Sequence, residues 1–101
     1  MFTTQEELYA ALARQGIPQR MWPGLGRYVF DHTRPGSFWV AVLSNDFMEA
    51  VGTADEENFS ILKLYASFLY NEMPSRAARP AMWGSREIVE AWVGHPRKSG
   101  S

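Results

Sequence analysis

The sequence predicts an all-α fold, a compact single-domain bundle of about five helices around one long central helix at about residues 46–72. Three observations carry this. Over 46–72 the apolar residues stand at Phe47, Ala50 and Val51, Ala54, Ile61 and Leu62, Tyr65, Phe68 and Leu69, steps of three and four that trace one helix face, with Asn58 the single polar entry in the row. Glu49, Thr53, Glu56, Ser60, Lys63 and Ser67 fall on the opposite side, as a solvated face requires. Elsewhere, capping residues and glycine or proline stops divide the chain at helical lengths, and no pair of segments reads as partnered strands.

Taken in order, the first helix starts at Thr3 or Thr4, since Glu6 and Glu7 lie three residues on and complete a capping box. Leu8, Ala11 and Leu12 form its apolar stripe; Gly16 ends it and Pro18 bars continuation. Residues 18–22 read as a turn of helix, and the second helix starts near Pro23, where a missing N–H costs nothing. Leu25, Tyr28 and Val29 share its inner face, Phe30 points elsewhere, and Gly24 and Gly26 imply close approach of another helix. Residues 33–37 turn into a wholly apolar run, 38–43. Such a run is a buried helix or a buried strand; with no partner strand to complete a ladder, it is read as a helix.

An unbroken helix over 46–72 would reach about 40 Å at 1.5 Å per residue, more than the roughly 30–35 Å across a domain of this size. Gly52 and a second capping box at residues 53–56 offer a break, yet the apolar phase crosses them without a slip, and one helix, bent there, is the reading. Met73 and Pro74 end it. A loop over 75–83 leads to Ser85, which caps a last helix whose Ile88, Val89 and Trp92 face inward. Residues 1–96 form one domain, and 97–101 are expected as a disordered tail or a cloning remnant.

Composition narrows function mainly by exclusion. With 46% hydrophobic residues and no apolar run long enough to span a bilayer, the chain suits neither a disordered nor a membrane protein. No cationic region precedes an apolar run at the start, so the expected compartment is the cytoplasm. Cysteine is absent, which removes disulfides and thiolate metal sites. His32 and His95 lack partners at ligand or general-base spacing apart from Asp31, and no phosphate loop, dinucleotide fingerprint or hydrolase motif occurs. The chain is therefore read as non-enzymatic, without metal or cofactor.

Asn45, Asp46, Asp55 and Asn58 are the polar residues tied most closely to the apolar seam. Their oxygens suit a hard cation, but the spacing does not fit an EF-hand loop, and structural roles are expected: Asp46 and Asp55 as caps, Asn58 as a buried amide fixing helix register. Eight of the ten basic residues are Arg, and with four Trp this is the residue mix of contact surfaces. Trp22, Phe30, Arg76, Arg79, Trp83 and Arg86 are the candidate partner-binding residues, with the aromatics taken as exposed.

Ile17 and Pro18, Gly24 and Leu25, Arg27 to Val29, Pro35 to Phe38 (PGSF), Ala41 to Phe47 (AVLSNDF), Ala54 and Asp55 with Asn58, and Trp83 to Ser85 (WGS) form a pattern. It resembles small phage- and prophage-encoded proteins of uncharacterised function, across about residues 17–93. The resemblance implies a mobile-element origin and a module that binds a host or phage protein complex, an anti-defence (anti-CRISPR-type) inhibitor among such roles. A formal net charge of −1 argues against mimicry of DNA, which carries one negative charge per ~1.7 Å. The alternative is a nucleic-acid-binding accessory protein using the Arg-rich loops. A homodimer also fits, since an over-long amphipathic helix can bury its ends against a copy of itself.

Overall fold

In this computed structural model, which describes residues 2–74, 78 and 80–94, the first helix begins at a reciprocal cap. The Thr4 hydroxyl accepts from the Glu7 N–H at 3.2 Å, and the Glu7 carboxylate accepts from the N–H groups of Thr3 and Thr4. Helix α1 (Gln5–Arg14) buries Leu8, Ala11 and Leu12. It closes in a Schellman motif. Gly16, at φ +80°, donates to Ala13 O, and Ile17 donates to Leu12 O.

A short 3₁₀ turn, Gln19–Met21, leads into α2 (Trp22–Asp31), which carries Pro23 in its first turn. The glycine expectation has a direct cause at Gly26. A Cβ there would lie 3.4–3.5 Å from the ring and hydroxyl of Tyr9, so its absence lets α1 and α2 close up. His32 ends α2 in the left-handed region, φ 54°.

Helix α3 (Ser37–Leu43) is helical, and every side chain from 38 to 43 is buried. It packs against α4 (Phe47–Thr53), α6 (Leu62–Glu72) and α7 (Arg86–Gly94). Surrounded on several sides, it has no face to give to water, which explains why its sequence shows no amphipathic period. Asn45 takes φ 61° after it, and the N–H groups of Asn45 and Asp46 close its last carbonyls.

The single central helix is corrected. Residues 46–72 form three helices, α4, α5 (Glu56–Ser60) and α6, so the described residues hold seven α-helices rather than five around a long axis. The chain breaks at Ala54, which is extended (φ −73°, ψ 137°), and not at Gly52. Asp55 then caps α5 through a 2.8 Å bond from the Asn58 N–H, while the Thr53 hydroxyl bonds back to Glu49 O. The new cap therefore sits two residues later than the box the sequence suggests. A second break, at Ile61 (φ −122°, ψ 25°), carries no glycine, proline or cap residue to announce it.

Long-range ties lock these helices. The Tyr28 hydroxyl donates to Met82 O at 2.7 Å, the Gly84 N–H to Leu43 O at 2.8 Å, and Trp92 Nε1 to Tyr28 O at 2.6 Å. Trp39 Nε1 reaches Met21 O at 2.9 Å. The radius of gyration, 12.8 Å, matches the ~13 Å of a compact domain of this length. No strand occurs among the described residues, and no described helix is long and apolar enough to cross a membrane. The expectation for 97–101 lies outside the described residues.

Candidate interaction groove

Most of the apolar side chains fill one core, but a few stand in solvent. Phe47 is 70% exposed, Met48 75% and Tyr70 85%, with Phe59 also out. Phe47 belongs to the row that a continuous helix would have buried. Because the chain bends at Ala54, α4 docks on α3 through Ala50 instead, and Phe47, in the first turn of α4, is left outside.

Phe47 borders an apolar groove of about 340 Å³. Ala41 and Val42 of α3, Phe47 and Ala50 of α4, and Leu62, Tyr65, Ala66 and Leu69 of α6 line it. Asp46 and Asn45 stand at the α4 side and Lys63 at the α6 side. Tyr70 follows Lys63 by seven residues and Ala66 by four, so it continues the α6 wall one turn further. Apolar lining with a few polar groups at the rim is the usual make-up of a binding cleft.

The residues singled out from the sequence are dispersed. Trp22 is half-buried; its Nε1 donates to Ile17 O at 2.9 Å and its ring lies 5.3 Å from that of Tyr9. Phe30 is half-buried against the core. Trp83 is buried, and its Nε1 donates to Pro74 O at 2.7 Å. The exposure expected of Trp83 is therefore corrected, while Trp22 and Phe30 are partly exposed. Arg76 and Arg79 lie outside the described residues, as does His95. Arg86 is exposed, 3.8 Å from the Asp46 carboxylate, which brings it to the edge of the groove.

Asp46 and Asp55 accept backbone N–H groups at the starts of α4 and α5. Asn58 is 2% exposed; its Oδ1 accepts from the Tyr65 hydroxyl at 2.6 Å and its amide nitrogen lies 3.5 Å from the Met21 sulfur. His32 Nδ1 lies 2.8 Å from Trp92 O, a carbonyl that only accepts, so this nitrogen carries a proton. No group of three or more His, Asp or Glu side chains among the described residues is placed to hold a metal ion.

Of the arginines in the glycine- and proline-rich part, Arg20 bridges Asp55 at 2.7 Å and Glu57 at 2.8 Å and Arg34 pairs with Glu90, while Arg27 is exposed and makes no ion pair among the described residues. On α1, Arg14 pairs with Glu72 at 3.0 Å. The carboxylates respond. Bonds from Thr3 and Thr4 hold Glu7 below its ordinary range, and the Asn58 N–H, then Arg20, do so for Asp55. Arg14 and Gln15 lower Glu72, and Arg34 lowers Glu90. Each is depressed in the folded state, so the unfolded chain binds more protons on acidification. Stability is expected to be level above about pH 5 and to fall as the pH drops through the folded values of these groups. Urea midpoints at pH 6 and pH 3 measure it; equal midpoints would contradict it.

The signal for the groove lay in Phe47 and Met48 side by side. That pair is a weak signal, because adjacent apolar residues such as Phe68 and Leu69 are both buried elsewhere in the fold. The chain matches no family model, and comparison with curated proteins and with solved structures returns no match.

Proposed function

We propose that this chain is a non-enzymatic protein-interaction module whose contact surface is the groove between α3, α4 and α6. One observation supports the reading above others: an aromatic side chain, Phe47, stands 70% exposed on the lip of an apolar groove built by three helices. Large exposed apolar groups beside a cleft mark interaction sites, and a groove between helices suits the apolar face of an added helix. The resemblance of the sequence pattern to small phage-encoded proteins supports reading it as a mobile-element module, an anti-defence inhibitor that covers a protein surface being one such role. Engagement of Arg20 and Arg34 with carboxylates weighs against the nucleic-acid reading, which keeps the exposed Arg27 and Arg86.

The test is a tagged pull-down from host lysate, with wild type and Phe47→Asp side by side, at low and high salt and with nuclease. The expected result is a discrete protein that survives nuclease and high salt and falls at least ~10-fold with Phe47→Asp. Nucleic acid recovered at low salt and lost with salt or nuclease would replace this reading with the Arg-loop one. Trp83→Ala is a poor probe, because the ring is buried and bonded to the backbone.

A further inference from the structure

We propose that the helix received by the groove is α4 of a second copy of this chain, in a two-fold dimer. This rests on the groove being a protein-binding surface and names its occupant in the protein free of any host partner. The argument starts from the position of Phe47, which is both a wall of the groove and a projecting ring. A knob beside a hole on one surface is self-complementary under a two-fold rotation: each copy's ring enters the other's groove, and both sites fill together. The groove volume of about 340 Å³ is some ten times the ~30 Å³ share of a water molecule, room enough for a phenyl ring.

Charge fits the same occupant. Asp46 immediately precedes Phe47, so a ring that enters a second copy's groove carries the Asp46 carboxylate to the rim where that copy's Lys63 stands. Among the described residues Lys63 makes no ion pair, and Asp46 has only the loose 3.8 Å approach of Arg86. The two walls thus present opposite signs, and the rotation sets acid against base twice. A net charge of −1 per chain adds little long-range repulsion between copies. By area the contact is smaller than a standard interface. At ~200 Å² per aromatic side chain, the exposed parts of Phe47 and Tyr70 supply about 300 Å² of the ~800 Å² each partner gives to a standard interface. The groove lining adds to that.

Sedimentation equilibrium of the purified chain across a wide concentration range tests this. Wild type is expected to be a dimer. Phe47→Asp, at an exposed position, is expected to keep the helical circular dichroism spectrum and weaken dimerisation at least ~100-fold, since the change occurs in both grooves. Lys63→Glu should weaken it as well by setting carboxylate against carboxylate. Adding Asp46→Asn, which keeps a good helix cap, should restore part of that loss. A wild type that stays monomeric overturns the second-copy inference alone; the groove reading then stands or falls on the pull-down with Phe47→Asp. A dimer that survives Phe47→Asp and Lys63→Glu overturns the inference by placing the contact elsewhere.

Discussion

Replacing Trp92 by alanine is expected to cost about 3–5 kcal/mol of folding stability. Total stability for a domain of this kind is about 5–15 kcal/mol. The indole is 6% exposed and touches two neighbours, Tyr28 and His32, in three ways. Its Nε1 donates to Tyr28 O at 2.6 Å, its ring lies 4.2 Å from that of His32, and it sits 6.3 Å from the Tyr28 ring. Truncation would leave a cavity between α2 and α7 and a buried carbonyl without this donor. At about 4–8 °C per kcal/mol for a domain of this length, the melting temperature should fall by at least ~12 °C. Trp92→Phe, which keeps an aromatic ring but loses the N–H, should lose only about 1–2 kcal/mol. Equal losses for the two variants would show that packing contributes little there.

The second large effect is expected at Asn58. Asn58→Ala removes the acceptor of the Tyr65 hydroxyl, in a region where burial pushes that phenol well above its ordinary range. A buried donor without a partner costs about 1–3 kcal/mol, and the lost side-chain packing brings the total to about 2–4 kcal/mol. Tyr65→Phe alone should cost about 1–2 kcal/mol, because the Asn58 carbonyl oxygen loses its donor. The double variant should cost clearly less than the sum, with a coupling of about 1–2 kcal/mol from the cycle. Strict additivity, read from urea midpoints of the four proteins, would show that the pair does not act as a unit.

Asn58 also shows what the sequence could and could not reveal. A lone amide in an apolar row is legible as a buried polar group, and Asn58, in mid-row, is 2% exposed even though Phe47 at the end of the row is not buried. The caps at Thr4 and Ser85 and the stop at Gly16 were legible for a local reason: each satisfies backbone groups within a few residues of itself. The course of residues 46–72 was not. A period of three and four survives a break whenever the next segment resumes in phase, and here the rows on α4, α5 and α6 do. At the break stand the Asp55 cap and the exposed Arg20 guanidinium, 35 residues away, which bridges Asp55 and Glu57. The groove follows from that break, so it was hidden with it. The packing of Trp22 and Trp83 into the fold was hidden for a related reason. Their partners are the backbone carbonyls of Ile17 and Pro74, which no residue pattern displays.

The encasement of α3 has a cost that appears only when the fold opens. Residues 38–43, Phe38 to Leu43, contain no charge, no proline and no glycine, and as an extended hexapeptide they have the make-up of a steric zipper. A helix of 7 residues does not hold itself together in water, so once α4, α6 and α7 detach, nothing local keeps this stretch from pairing edge to edge with its like. Arg34, Pro35 and Gly36 before it and Asp46 after it act as gatekeepers against fibre growth. The helices around α3 are therefore a shield as well as a core, and refolding competes with self-association more strongly as the chain becomes concentrated.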